Sequence, residues 1–207
     1  MNIKRAVNVN RLLQAVVAVL FVATIQVFLV SALVAIGKQQ TVTTSDNHWL
    51  RLADLLSFSD PEAVTALGTY QREQALLSEG EKRTLLLQQS LQNWQRAVKS
   101  RPLWPYHHLN ALHVEVMLNK PAADIQQTID TVIKQTPNER GMDKYLIELA
   151  VFSWAKLTRD QRRWISDRLD RLSAGELRYV LQAAERMNRK TLICVHLPIK
   201  KSRRYCK

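Results

Sequence analysis

One uncharged stretch, from Leu12 to Gly37, limits what this chain can fold into more than any other feature. Sixteen of its positions are Leu, Ile, Val or Phe, and none is Asp, Glu, Lys or Arg. As an α-helix it would be about 39 Å long, enough to cross a hydrocarbon core of about 30 Å with some tilt. The sequence therefore predicts one transmembrane helix over 12–37, preceded by a short cytoplasmic N-terminus, 1–11.

Two other interpretations of this stretch are weaker. A cleaved secretory signal has an apolar region of about 7–15 residues before its small-residue site. The apolar run before the candidate site Val30-Ser31-Ala32 is already longer than that. A buried core helix seldom stays uncharged over such a length. We therefore expect an uncleaved anchor.

The flanking charges predict the orientation of the helix. Three basic residues and no acid precede it, whereas the segment after it mixes both signs. Cytoplasmic flanks carry the excess of Lys and Arg, so the bulk of the chain is expected on the outer side. In a bacterium this is a single-pass inner-membrane protein with a periplasmic body. The preceding bases are Lys4, Arg5 and Arg11.

The remaining residues have the composition of a helical domain. Only five Gly and six Pro occur in 207 residues, and alternating strand patterns are scarce. We predict an all-α fold: a linker with a juxtamembrane helix capped by Asp46 over 38–59, a helical domain over 60–188, and a basic tail over 189–207. Within the tail, Ile193 to Val195 is expected to be extended. Further helix caps are expected at Asp60, Thr158 and Ser173.

Two predicted helices share a spacing typical of tetratricopeptide repeats, in which pairs of antiparallel helices recur about every 34 residues. A small or β-branched residue lets two helices approach closely, and a following Pro ends the helix so that the next pair can stack. We predict a tetratricopeptide-like stack; the alternative is a plain antiparallel bundle with a coincidental spacing. The matching residues are Trp94, Ala97 and Pro102 and, 35 positions later, Ile129, Val132 and Pro137, with Trp104 at the start of the helix after the first set.

Both cysteines, Cys194 and Cys206, lie in the basic tail. In an oxidising compartment two cysteines of one chain tend to pair. A bridge would close a short loop and stabilise the fold by about 2–4 kcal/mol. We predict this disulfide; the alternative is two free thiols on a frayed end.

A net charge of +12 suits an anionic partner, such as nucleic acid, anionic lipid or an acidic polymer; the alternative is a basic surface that only keeps the protein soluble. The predicted export of the body argues against nucleic acid. A cluster of arginines beside a tryptophan is the best candidate for binding an acidic polysaccharide, because Arg bonds carboxylates bidentately and stacks on aromatic rings. The alternative is a helix face on which these arginines pair with interleaved aspartates. The candidate residues are Arg159, Arg162, Arg163 and Trp164.

No catalytic, metal or cofactor motif stands out. The sequence has no Gly-rich phosphate loop, no His-Glu-x-x-His and no Gly-x-Ser-x-Gly. His108 and His113 are five residues apart on one predicted helix, so they do not lie above one another as a metal pair would. We expect no enzymatic activity, no metal and no cofactor.

The segment from Ala97 to Tyr106, with its Arg-Pro-x-Trp-Pro-Tyr block, resembles the VpsP-like family of polysaccharide biosynthesis proteins. These are small, membrane-anchored bacterial proteins associated with gene clusters for exopolysaccharide or O-antigen-like polymers. The anchor and the overall size are similar too. The resemblance implies an accessory role in surface-polysaccharide production, and it supplies no catalytic residues.

The chain is therefore expected to be a membrane-anchored periplasmic helical-repeat scaffold that assists the synthesis or export of a surface polysaccharide. Its expected partners are membrane polymerase or export proteins, or an acidic polysaccharide, near which tethering raises the effective concentration. One alternative is a pilus or secretion-system assembly factor, whose partners would be proteins only. Another is an enzyme acting on envelope glycans.

Overall fold

The computed structural model describes residues 3–42, 46–57, 60–137 and 139–206, and for 3–11 the backbone alone. Within these ranges the chain is all-α, with eleven α-helices, one short 3-10 helix and no strand. The elements are α1 Ile3–Gln39, α2 His48–Leu56, α3 Pro61–Leu76, α4 Gly80–Ser100, α5 Pro105–Met117, α6 Ala122–Gln135, α7 Arg140–Phe152, the 3-10 helix Trp154–Lys156, α8 Arg159–Arg171, α9 Ala174–Arg186, α10 Lys190–His196 and α11 Ile199–Tyr205.

Side-chain caps begin three helices where the sequence predicts them. The Asp60 carboxylate accepts a hydrogen bond from the backbone N–H of Glu62, at the start of α3. Thr158 and Ser173 form capping boxes at the starts of α8 and α9. Because each cap satisfies a backbone donor that lacks a partner inside the helix, these starts can be predicted from local sequence.

The first helix is longer than the predicted span, and its far end belongs to the folded body. The segment Leu12–Gln39 is long and apolar enough to cross a membrane. Its side chains are largely exposed as far as Leu29, whereas Val30, Leu33 and Val34 are buried against α2 and α3. The apolar helix therefore has a bare part and a packed part.

The expected linker contains α2, which folds back along the end of α1. The predicted cap is wrong: Asn47, not Asp46, accepts a hydrogen bond from the backbone N–H of Leu50. Asp46 forms a salt bridge with Arg51 instead, at 3.0 Å. Close packing of the two helices requires Gly37, because a Cβ there would lie 2.6 Å from the Leu50 side chain.

The body is a succession of packed helices. α3 with α4, and α5 with α6, are connected by short turns and pack closely, while α5, α7 and α9 lie side by side. Ala97 and Val132 are fully buried, and Pro102 and Pro137 follow the ends of α4 and α6. A repeat stack and a plain bundle would both have these features, so the tetratricopeptide-like arrangement stays a prediction.

The C-terminal tail is helical, contrary to the prediction. Ile193 to Val195, expected to be extended, lies within α10. Ile193 and Leu197 are buried in the main core, and this contact with distant helices outweighs the basic composition around them. Cys194 and Cys206 form a disulfide that connects α10 to the end of α11.

Candidate functional site

Side chains of α3, α5, α7 and α9, together with Arg83 of α4, line two cavities with volumes of about 380 and 300 Å³. His113, Glu148 and Leu149 line both cavities, which makes them one continuous groove. We call it the inner groove. Its polar and aromatic lining comes from Arg72 on α3, Tyr106, Asn110 and His113 on α5, Tyr145 and Glu148 on α7, and Tyr179 on α9.

Helical spacing explains why these side chains share a face. Tyr106, Asn110 and His113 are separated by four and three residues on α5, and Tyr145 and Glu148 by three on α7. Residues three, four and seven apart lie on the same side of an α-helix. Each helix therefore presents a short stripe, and packing the helices side by side places the stripes in one groove.

Arg72 is the main cation of the first cavity. Its guanidinium donates a hydrogen bond to Asn110 Oδ1 at 2.8 Å and lies 3.5 Å from His113 Nδ1. Within the described part of the chain, Arg72 forms no salt bridge. Burial lowers the pKa of Arg72, but a guanidinium in a protein stays charged. A half-buried positive charge thus lies in the groove, hydrogen-bonded to neutral groups, and the adjacent carboxylate of Glu73 also acts on it electrostatically.

His113 does not add to this charge at neutral pH. Burial, and then the nearby charge of Arg72, lowers the pKa of His113 to about 4. The ring is therefore neutral at pH 7 and can accept a hydrogen bond as well as donate one.

Tyrosines form the opposite wall of the groove. Tyr179 donates its hydroxyl proton to Glu148 at 2.7 Å, and its ring lies edge-on to Tyr145 with 6.0 Å between centroids. Burial, together with the bond to Glu148, raises the pKa of Tyr179 to about 12. Lys144 lies over both rings, 4.8 Å from the Tyr145 centroid and 5.7 Å from the Tyr179 centroid.

This arrangement is suited to binding an anionic ligand. Arg72 and Lys144 lie near the first cavity, and Arg83 and Arg186 line the second. The opposing carboxylates are Glu148 in the lining and Glu73 beside Arg72. A guanidinium binds a carboxylate or phosphate through paired N–H groups, and the tyrosine rings and hydroxyls offer stacking and hydrogen bonds. In the described ranges no group of three His, Cys, Asp or Glu is placed to hold a metal ion.

The arginine–tryptophan cluster predicted on α8 does not form one site. The guanidinium of Arg162 lies 5.8 Å from the ring of Trp154. Trp164 is covered by a different arginine, Arg168, at 4.7 Å. The remaining members of the predicted cluster, Arg159 and Arg163, are exposed on α8. Trp164 and Arg162 thus have separate partners, and α8 contributes no side chain to the inner groove.

A serine and a histidine meet elsewhere, at a third cavity beside α8 and α10. Ser166 Oγ lies 3.2 Å from His196 Nδ1, which is within the range of a nucleophile and its base. The hydroxyl also donates its one proton to the carbonyl of Arg162, at 2.9 Å. His196 therefore acts as a donor to Ser166 in this geometry, which is the reverse of what a general base does.

The residues of the predicted repeat lie in the helical body and do not line the inner groove. Ala97 is packed with Trp94, Ala111 and Val114, and Trp104 precedes α5 with its ring 5.7 Å from that of Tyr106. Sequence reasoning missed the inner groove. The available signal was the stripe of Tyr106, Asn110 and His113 at helical spacing on α5.

No protein-family model, curated protein or solved structure matches this chain. The resemblance to the VpsP-like family, carried by the segment from Ala97 to Tyr106, therefore stays a prediction.

Proposed function

We propose that this protein is a single-pass scaffold of the bacterial inner membrane whose periplasmic body holds a carboxylate-bearing polymer in the inner groove. In this role it assists the synthesis or export of a surface polysaccharide. The body is proposed to be a tetratricopeptide-like stack, with the groove on its concave side.

The observation that carries the proposal is the environment of the charged Arg72 side chain. Its charge lies half-buried in a groove of tyrosines, where it contacts an amide and a neutral imidazole and, within the described residues, forms no salt bridge with the adjacent Glu73. Leaving a cation in such a place costs solvation energy, which an incoming carboxylate would offset. Tyr106, Tyr145 and Tyr179 provide the flat, partly polar surfaces that pack against sugar rings.

Two further features support a stacked, tethered scaffold. The buried residues Ala97 and Val132 occupy equivalent positions in α4 and α6, as helix contacts in a repeat do. The packed end of α1 holds the body next to the apolar helix. Tethering at a short distance raises the local concentration of a partner to the millimolar range, so the groove needs only modest affinity.

The test is a binding measurement on the full chain in nanodiscs, using polygalacturonate oligomers as the acidic probe and a neutral glucan of equal length as the control. We expect Arg72→Gln to weaken binding by about 10–100-fold, the effect of one charged hydrogen-bonding group. Arg163→Gln, an exposed arginine outside the groove, is the matched control and should bind as the unaltered protein does.

Four results would contradict the proposal in different ways. Equal binding of the acidic and neutral probes would remove the role of charge. Loss of binding in Arg163→Gln but not in Arg72→Gln would move the site to α8. Binding of acidic peptides in preference to both glycans would favour an assembly factor for pili or secretion. A reporter fused after the last residue that is active only in the cytoplasm would refute the orientation.

A further inference from the structure

The short helix α2 has apolar residues on both sides, and only one side is buried. Leu50 and Ala53 pack against the end of α1 and the start of α3. On the opposite side, Trp49 is 41% exposed, Leu52 is 42% exposed and Leu55 is 76% exposed. These three residues follow one another at a spacing of three and form one outward face, which we call the outer face of α2.

Asp54 and Arg51, the charged residues of α2, are both held in ion pairs. Asp54 is held in a bidentate pair by Arg96 of α4, with both N–O distances at 2.9 Å. Arg51 pairs with Asp46 at the beginning of the helix. Arg51 lies one turn before Leu55, at the edge of the outer face, and its charge is paired there with Asp46.

Two hydrogen bonds fix the height of α2 along α1. At its beginning, Asn47 Nδ2 donates to the carbonyl of Gly37 at 2.8 Å. At its end, the carbonyl of Leu56 accepts a hydrogen bond from Gln26 Nε2, also at 2.8 Å. α2 thus runs back along α1, from the level of Gly37 down to the level of Gln26.

The level of Gln26 lies inside the bare apolar part of α1. The bare part, Leu12 to Leu29, is about 27 Å long, close to the thickness of a hydrocarbon core. Gln26 is about 5 Å below its upper end, and Gly37 is about 12 Å above it. The last turn of α2 therefore reaches the edge of the hydrocarbon, while its first turn lies at the height of the headgroups.

We propose that the outer face of α2 is a membrane-contact surface, with Leu55 in the acyl boundary, Leu52 at the edge and Trp49 among the headgroups of the outer leaflet. This order matches how Leu and Trp distribute across a bilayer surface. The inference rests on the proposed anchoring by α1 and adds a second lipid contact to it. The partner is the lipid surface itself.

The experiment uses depth-dependent fluorescence quenching on the full chain in lipid nanodiscs, with the native disulfide kept oxidised. A bimane label is placed on one introduced cysteine at a time: V22C in the bare part of α1, L55C on α2, and L85C on α4. Leu85 is the matched control, because it is an exposed leucine about 16 Å along α4 from Arg96, the residue that contacts α2.

We expect the label at 22 and the label at 55 to be quenched by spin-labelled lipid. Both should be several-fold less sensitive to aqueous iodide than the label at 85.

If the label at 22 meets lipid while the label at 55 behaves like the one at 85, the role of α2 is refuted and the anchor stands. If the label at 22 also behaves like the one at 85, the anchor itself fails. A label at 55 shielded from both quenchers would indicate contact with a second copy of the chain instead of lipid, and would overturn the proposal.

Discussion

Replacing Asp143 by Asn tests how the buried ion pair between α7 and α8 contributes to stability. Asp143 and Arg168 are both almost fully buried, and Arg168 Nη1 donates to Asp143 Oδ2 at 3.2 Å. The guanidinium also donates to the carbonyl of Pro137 and lies over the ring of Trp164. Asp143→Asn leaves a charge that cannot be neutralised, because Arg does not lose its proton in proteins.

The expected loss of stability depends on the partners that Arg168 retains in the variant. Removing one member of a buried pair costs about 3–5 kcal/mol. Since the Pro137 carbonyl and the Trp164 ring remain as partners, we expect about 3 kcal/mol, the lower end of that range. For a chain of this size that lowers the melting temperature by about 6–12 °C.

The partner substitution should behave differently with pH. Arg168→Met leaves a buried carboxylate whose pKa burial already raises, so it can take up a proton. The folded state then binds more protons than the unfolded state, and stability is recovered as the pH is lowered. The Asp143→Asn variant lacks this carboxylate and should show no such recovery. The double variant Asp143→Leu with Arg168→Met should be within about 1 kcal/mol of the original, because no charge is left buried.

The assay is thermal unfolding of the full chain in detergent, followed by circular dichroism at pH 5 and pH 7.5. A melting temperature of Asp143→Asn equal to that of the unaltered protein would refute the reasoning. So would a double variant that is destabilised by the sum of the two single losses, since that would mean that the residues contribute independently.

Three further predictions concern other parts of the fold. Ala97→Glu places a charge in the fully buried contact of α4 with α3 and α5 and should abolish cooperative unfolding. Gln95→Glu, on the exposed side of α4, should change the melting curve little, and an unaffected Ala97→Glu would show that the contact is not tight. The free energy of unfolding should fall by at most about 3 kcal/mol as the pH drops from about 6.5 to about 4, because the unfolded chain lets His113 bind a proton that the folded state excludes. A His113→Gln variant should lose that part of the pH dependence. An unchanged pH dependence in the variant would assign the acid sensitivity to other groups. Reducing the Cys194–Cys206 disulfide should free α11, so that trypsin removes the basic C-terminal residues before it cuts the body, and equal digestion with and without reductant would contradict this.

Local chemistry predicted those parts of the fold that depend on neighbours in the sequence. The apolar stretch gave rise to α1, and Asp60, Thr158 and Ser173 begin helices because a cap needs only the next three residues. The prediction of an extended segment in the C-terminal tail was wrong because Ile193 and Leu197 are buried by helices that are distant in the sequence. No local sequence pattern reveals such contacts.

The inner groove is formed by residues that are distant in the sequence, so local sequence patterns could not predict it. Arg162 and Trp164 are two residues apart on a helix, so they point in different directions and contact different rings. Arg72 and Tyr179 are on helices far apart in the sequence and meet only because α3, α5, α7 and α9 lie side by side. Predicting that groove would have required the helix order in space.

One feature of α1 determines how the body can move. The helix enters the body without a break, and α2 and α3 hold its last turns. In the proposed membrane setting, lateral diffusion and rotation about the bilayer normal remain free. The body tilts only together with the helix, and the apolar helix holds it at a nearly constant height above the membrane. Any partner must therefore reach the groove at one fixed elevation, and the search for the right pose falls to the partner's own flexible chain.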